Sequence, residues 1–175
     1  MISPLNAQNI DEKVNTTLKP LVLIGDRVVV FGKYCNNRFD YCVAYPEKIF
    51  ETELEPTNDD GRIWVSEDGD MHLTVYGVNS LDWSLQNEYH RWREVLRANS
   101  EGEELNLKTS ILADNYFELA GVVNGEYYYQ KTYLNQDKEQ FITLIFRSEM
   151  DPIENKQLRE LQETITESFM LQSMP

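Results

Sequence analysis

Short apolar runs separated by turn-forming residues dominate the chain up to about position 80. Several of the runs are rich in β-branched residues and alternate with polar positions, which predicts strands rather than helices. The predicted strands are Leu21–Ile24, Arg27–Tyr34, Asp40–Tyr45, Arg62–Ser66 and Met71–Tyr76. Between them, Glu47–Phe50 is predicted as a helical turn and the acidic segment 51–61 as a loop.

The apolar spacing changes to that of a helix after position 80. Leu81, Leu85, Tyr89, Trp92 and Leu96 recur at intervals of four and three residues, which predicts an amphipathic helix over Leu81–Asn99. Asp82 would then lie in the first turn, where the helix dipole favours an acidic side chain.

A second group of strands follows, and then a second helix. The predicted strands are Leu105–Leu112, Tyr116–Val123, Glu126–Leu134 and Gln140–Phe146. Asn124-Gly125 is a strong signal for a two-residue hairpin turn. Pro152 is predicted to open the last helix, whose inner face would carry Leu158, Leu161, Ile165 and Phe169.

This order of elements predicts an α+β fold, with an antiparallel sheet of about six to eight strands and helices packed on its faces. The 175 residues, 41% of them hydrophobic, are sufficient for one domain with a sizeable core. We assign residues 1–19 to a flexible lead-in and residues 20–172 to the single domain. No apolar run has the length of a membrane-spanning helix.

The two cysteines, Cys35 and Cys42, lie on either side of a predicted hairpin turn. A hairpin centred near Arg38–Phe39 would place them on opposite strands, with Cβ atoms about 4.5–5.5 Å apart, which local twist can bring within reach of a disulfide. The alternative is a pair of reduced, buried thiols. A disulfide would contribute about 2–3 kcal/mol and would indicate a periplasmic or secreted protein. The polar start of the chain lacks the apolar segment of an export signal, so we expect a mature form without its leader.

The net charge of -14 argues against binding to nucleic acid or to anionic lipid. The excess of acidic residues is concentrated after Glu51, because residues 51–100 carry eleven acidic and four basic side chains. It is either an ordinary solvated surface or a surface complementary to a basic protein partner.

The aspartates of two turns, Asp59, Asp60, Asp68 and Asp70, are the candidate acidic part of such a surface. They match no calcium-binding loop, and neither His72 nor His90 belongs to a ligand motif. We therefore predict no metal, no cofactor and no catalytic residues. A hydrolase that uses the carboxylates of these turns remains an alternative hypothesis.

A run of tyrosines in the strand after Gly125 is the second candidate binding feature. Tyr127, Tyr129 and Tyr133 share one face of this strand, and Tyr128 lies on the other. Tyrosines are enriched in protein–protein interfaces, so the first three residues are candidates for partner binding. The alternative is that both faces are packed under other elements.

Several motifs form a pattern of strands and turns along the chain. They are the Tyr45-Pro46 pair, the DGR turn at residues 60–62 and the segment SEDGDMHLTVYG at 66–77. The pattern continues with YFELAGVVNGEYYYQKTYL at 116–134, FITLIF at 141–146 and the C-terminal amphipathic helix. In this pattern the chain resembles small exported bacterial proteins and the PsbP/Mog-like α+β sandwich. The resemblance implies a strand meander and a terminal helix after a first hairpin. It also implies a largely non-catalytic group of adaptors, assembly factors and chaperones, in which paired cysteines are not general.

Together these observations predict a non-catalytic, extracytoplasmic binding protein with a protein partner. Its most concrete form is an immunity-type inhibitor of a secreted toxin or of a cell-wall enzyme. A chaperone or adaptor of a secretion or envelope-assembly system is the other binding hypothesis.

Overall fold

Antiparallel hairpins and two helices form the part of the chain that the computed structural model describes, residues 21–54, 58–100 and 105–171. The strands of the first half are β1 (Leu21–Ile24), β2 (Arg27–Asn36), β3 (Tyr41–Pro46), β4 (Phe50–Leu54), β5 (Gly61–Ser66) and β6 (Met71–Asn79). They are followed by α1 (Leu85–Asn99), β7 (Asn106–Leu112), β8 (Tyr116–Val123), β9 (Glu126–Asn135), β10 (Gln140–Ser148), α2 (Lys156–Ser168) and β11 (Met170–Leu171). The predicted lead-in, residues 1–19, and the domain limits at residues 20 and 172 lie outside the described residues.

The strands form two antiparallel sheets. Seven strands pair in the order β4-β5-β6-β10-β9-β8-β7, and four pair in the order β1-β2-β3-β11. The predicted α+β class with helices on the sheet faces is therefore confirmed. What the sequence did not predict is the division into two sheets, in which β3 and β4 belong to different sheets, and the addition of the C-terminal β11 beside β3.

The seven-stranded sheet lies between two unequal layers. One face packs against the four-stranded sheet and α2, in a core that includes Trp64, Leu73, Leu144 and Ile165. The other face carries α1, whose Leu85, Tyr89 and Leu96 pack on apolar side chains of β8, β9 and β10. Alternate residues of each central strand therefore enter different cores, as the two-residue period of a strand requires.

The start of α1 differs from the prediction. The helix begins at Leu85, and the side chain of Ser84 caps it by accepting a hydrogen bond from the Asn87 amide at 3.1 Å. Leu81 and Asp82 both have positive φ angles, 49° and 67°, so neither residue is helical. Leu81 is consequently 78% exposed instead of lying on the buried face of the helix.

The segment after Pro46 also differs. Residues 47–49 form a turn that leads directly into β4 at Phe50, and β4 occupies part of the predicted loop 51–61. As an edge strand β4 pairs only with β5, so acidic residues there are compatible with pairing.

The last helix begins four residues later than predicted, at Lys156, and Asn155 is its N-cap. Its predicted inner face is confirmed, because Leu158, Leu161 and Ile165 are buried and Phe169 is buried just beyond the helix end.

The predicted hairpin and disulfide are both confirmed. Cys35 and Cys42 are direct cross-strand partners of β2 and β3, and their sulfur atoms are bonded. Residues 37–40 form the turn at the tip of this hairpin, and the side chain of Phe39 within it is fully buried.

Candidate protein-binding groove

The tyrosine-rich strand β9 faces both cores. Tyr128 points toward α1, and Tyr127, Tyr129 and Tyr133 point toward the layer that contains α2. Tyr127 and Tyr129 are each only 8% exposed, and the half-buried Tyr133 packs against Tyr116 and Phe169. They are therefore not the exposed cluster that a protruding binding surface would need. They line a groove instead.

This groove lies between α2 and strands β7, β8 and β9, and we call it the tyrosine groove. Its volume is about 370 Å³. The residues that line it are Thr109, Glu118, Ala120, Tyr127, Tyr129, Lys131, Gln162, Glu163, Thr166 and Glu167. A groove of this size can accept one or two long side chains of a partner, but not a folded element.

Two polar residues of the groove, Tyr127 and Gln162, are more than nine-tenths buried as whole residues. Their polar atoms are nevertheless not among the fully buried atoms that lack a hydrogen-bond partner in the described part of the chain. Because both residues line the groove, the Tyr127 hydroxyl and the Gln162 amide open onto it and can hydrogen-bond to a polar ligand.

Carboxylates outnumber cations around the groove. Glu118 and Lys131, which are cross-strand partners, form an ion pair with Oε1 and Nζ 2.8 Å apart. Glu163 and Glu167 lie one turn apart on α2, and both are exposed. Three carboxylates and one ammonium leave the lining with an excess of two negative charges.

The protonation states in the groove follow from burial. Burial, with smaller contributions from Asp151 and Glu163, raises the pKa of Tyr127 to about 12. Burial and then Glu118 also raise the pKa of Tyr129. Both phenols are thus neutral at pH 7 and can donate hydrogen bonds. Burial alone would lower the pKa of Lys131, but its hydrogen bond to Glu118 and its contact with Tyr133 raise it, so Lys131 is charged.

The four aspartates of the predicted acidic surface are not brought together. Asp59 and Asp60 immediately precede β5, whereas Asp68 and Asp70 follow it. At about 3.3 Å per residue, the six residues of β5 separate the two turns by roughly 20 Å. The two turns therefore do not supply the carboxylate pair that a glycosidase needs, since such a pair is at most about 10 Å apart.

The carboxylates of the first turn are engaged locally. Asp60 pairs with Arg38 at the tip of the β2–β3 hairpin, and Asp59 lies 3.5 Å from Arg62. These contacts fix the turn against the hairpin and partly neutralise its charge.

Asp68 stabilises the second turn. Its carboxylate accepts hydrogen bonds from the Ser66 hydroxyl at 2.5 Å and from the Asp70 amide at 3.1 Å, and these two bonds lower its pKa. This turn lies at the same end of the sheet as Tyr127, because Met71, Ser148 and Tyr127 are successive cross-strand partners.

The sequence reasoning missed the contribution of α2 to the groove. Gln162 and Thr166 are buried polar residues beside the apolar inner face of the helix. Polar residues one turn apart, next to Leu161 and Ile165, were the signal that could have identified them. Within the described residues, no three His, Cys, Asp or Glu side chains are grouped as a metal site would require, and no helix has the length and apolarity needed to cross a membrane.

Comparison with known proteins identifies the fold. No family model matches the chain, and no curated protein matches it in sequence. Among solved structures, the chain is similar to the Saccharomyces cerevisiae Ran-binding protein Mog1p, with a TM-score of 0.55 and 10% identity over 82% of this chain and 96% of that chain. A mutant of the protein Mog1 gives a TM-score of 0.52 and 9% identity over 81% and 95% of the two chains. The protein therefore has a Mog1-like α+β sandwich fold.

Proposed function

We propose that this protein is a non-catalytic, extracytoplasmic binding protein that holds a basic segment of a protein partner in the tyrosine groove. The observation that carries the proposal is that two polar groups, the Tyr127 hydroxyl and the Gln162 amide, open onto a groove bordered by carboxylates. A lysine or arginine side chain matches this lining. Its charge complements the excess of carboxylates, and its stem can lie along the tyrosine rings.

The fold and the disulfide support the two broader parts of the proposal. The solved structure that this fold resembles is titled a Ran-binding protein, so the same architecture serves protein binding elsewhere. A disulfide between neighbouring strands is typical of proteins in oxidising compartments. In its most concrete form, the partner is a secreted toxin or a cell-wall enzyme, and this protein is the immunity-type inhibitor that blocks it.

The test is a pull-down from the envelope and secreted fractions of the source organism, with the partner identified by mass spectrometry. A double variant, Glu163→Lys with Glu167→Lys, reverses the charge of the groove rim on exposed side chains. A charge-matched control, Glu67→Lys with Asp70→Lys, reverses the second acidic turn instead. We expect the first variant to lose a stoichiometric basic partner and the control to retain it.

A single substitution tests the hydrogen bonding of the groove lining without changing the charge of the groove. Tyr127→Phe removes only the phenol hydroxyl. If a group of the partner hydrogen-bonds to this hydroxyl, the variant should bind the partner about tenfold more weakly. Equal loss in both double variants would point to nonspecific attraction by net charge. If the groove variant retained the partner and the control lost it, the interface would be at the second acidic turn instead of the groove. Turnover of a substrate by the purified protein would contradict the non-catalytic assignment.

A further inference from the structure

A second cavity lies between the last turn of α1, the β8–β9 hairpin and the adjoining part of β10, and we call it the helix-end cavity. Its volume is about 470 Å³, which is in the range of pockets that bind small molecules. The Asn124 side chain in the hairpin turn donates a hydrogen bond to the carbonyl oxygen of Asn99. This bond ties the turn to the end of the helix and so fixes two walls of the cavity.

Two side chains of opposite charge border the helix-end cavity. Arg147 is the direct cross-strand partner of Tyr128, and Glu126 precedes Tyr128 by two residues on β9. The three side chains therefore share one face of the sheet, and the Cα atoms of Glu126 and Arg147 are about 7–8 Å apart. Neither charged side chain forms an ion pair with a residue that the structure describes. Both charges are consequently available to a ligand.

The charges around the cavity have a consistent polarity. Helix α1 ends at Asn99, beside the hairpin turn and Glu126, and the carboxyl end of a helix carries a partial negative charge. Glu149 follows the end of β10 and continues the row of Glu126. On the other side, His72 is the cross-strand partner of Arg147. The cavity therefore favours a cationic group beside Glu126 and an anionic group beside Arg147.

The remaining lining of the cavity is largely apolar. Leu96 and Tyr128 are buried, and Val123 is half-buried. The Tyr128 hydroxyl donates a hydrogen bond to Oε1 of Gln130 at 2.5 Å, so Tyr128 offers the cavity its ring. A ligand that matches this lining carries two opposite charges close together and an apolar group beside them.

We propose that the helix-end cavity binds a free α-amino acid with an apolar or aromatic side chain. Its carboxylate pairs with Arg147, its ammonium group pairs with Glu126, and its side chain lies on Leu96 and Tyr128. Hydrogen bonds of about 2.9 Å at both ends suit the spacing of the two charged residues, because both charged groups of an α-amino acid are attached to one carbon atom. The site lies on the opposite face of the sheet from the tyrosine groove and does not depend on the function proposed for that groove.

The test titrates L-phenylalanine into the whole, isotope-labelled protein and follows the amide signals by NMR. N-acetyl-L-phenylalanine, which lacks the ammonium group, and L-phenylalaninamide, which lacks the carboxylate, are the control ligands. We expect L-phenylalanine to shift the amide signals of Leu96, Val123 and Tyr128 saturably. We also expect it to bind at least tenfold more tightly than either control ligand, because each control loses one charge-assisted hydrogen bond.

Variants assign each charge of the ligand to one residue. Arg147→Gln should weaken L-phenylalanine by about tenfold and leave L-phenylalaninamide unchanged, because the amide has no carboxylate to lose. Glu126→Gln should weaken L-phenylalanine by about tenfold and leave N-acetyl-L-phenylalanine unchanged. Lys33→Gln and Glu67→Gln make the same changes at exposed positions outside the cavity and should not alter binding.

Two further variants separate the cavity from other parts of the surface. Ala98→Phe, at an exposed position of the cavity wall, should abolish binding because it fills the cavity without changing a charge. Glu163→Lys with Glu167→Lys, in the tyrosine groove, should leave binding unchanged.

Three results would overturn the proposal. The first is the absence of saturable shifts around the cavity at millimolar L-phenylalanine. The second is equal binding of L-phenylalanine and its two control ligands, because the charges of the ligand would then not be recognised. The third is an equal loss of all three ligands in Arg147→Gln, because it would assign Arg147 a structural role only.

Discussion

Phe39, at the tip of the β2–β3 hairpin, packs directly against the backbone of Gly77 in β6. A Cβ atom added at Gly77 would lie 2.1 Å from Cγ of the Phe39 ring, and Phe39 is fully buried. The absence of a side chain at position 77 is therefore what allows the hairpin of the smaller sheet to dock on the larger one. The disulfide closes the same hairpin, so this contact anchors the only covalent loop of the protein.

Gly77→Ala is expected to destabilise the protein by about 1–3 kcal/mol, because the new methyl group overpacks a filled site. Urea unfolding measures the loss. Phe39→Leu should be less destabilising in the Gly77→Ala background than in the wild type, since a smaller side chain leaves room for the methyl group. Strict additivity of the two changes would show that the residues are not in contact in solution.

Reduction of the disulfide is expected to lower the free energy of unfolding by about 2–3 kcal/mol without loss of the fold. The hairpin tip is also held by non-covalent contacts, including hydrogen bonds from the Arg38 and Phe39 amides to the Asn36 side chain. Unfolding curves with and without reductant measure the difference. The Cys35→Ser, Cys42→Ser double variant serves as the control, because reductant should leave its stability unchanged.

Stability is expected to fall as the pH rises from about 10 toward 12. Burial raises the pKa of Tyr127 to about 12, and burial also raises the pKa values of Tyr41, Tyr128 and Tyr129. The unfolded chain, with ordinary tyrosine pKa values near 10, releases these protons first and is favoured above that pH. The stabilisation that comes from the raised pKa values of these four tyrosines is therefore fully present below about pH 10 and is lost above it.

Tyrosinate absorbance, followed together with circular dichroism, checks this prediction. Ionisation of the buried tyrosines should coincide with the loss of structure. Ionisation of all ten tyrosines near pH 10 with the fold intact would contradict the burial of these side chains.

Leu81→Gly is expected to raise the free energy of unfolding by about 0.5–1 kcal/mol. Leu81 has a positive φ of 49°, which is unfavourable for a residue with a branched side chain, and its exposed side chain contributes little burial. Glycine adopts this conformation without strain. Thermal unfolding tests the prediction. Ser84→Gly is the comparison variant, and it should lower the stability by a few tenths of a kcal/mol because it weakens the N-cap of α1. A destabilised Leu81→Gly variant would mean that the leucine makes contacts in solution that compensate for its strain.

The sequence by itself determined the features that depend on neighbouring residues. Asn124 and Gly125 have positive φ angles of 53° and 81°, as expected for the predicted hairpin turn. The spacing of Cys35 and Cys42 across a short turn was enough to predict their pairing, because a hairpin of that length fixes its own register. Alternation in β9 likewise separated Tyr128 from Tyr127 and Tyr129.

Only the tertiary structure decided the features that depend on contacts between distant segments. The C-terminal β11 pairs with β3, more than 120 residues earlier in the chain, and no local pattern specifies this pairing. Periodicity showed that Tyr127 and Tyr129 share a face, but not that α2 covers that face and supplies Gln162 beside them. The acidic turns looked like one surface in the sequence because few residues separate them, yet an extended strand carries them to opposite ends of the sheet. Short-range patterns define the faces of an element, whereas the packing of the whole chain determines what each face meets.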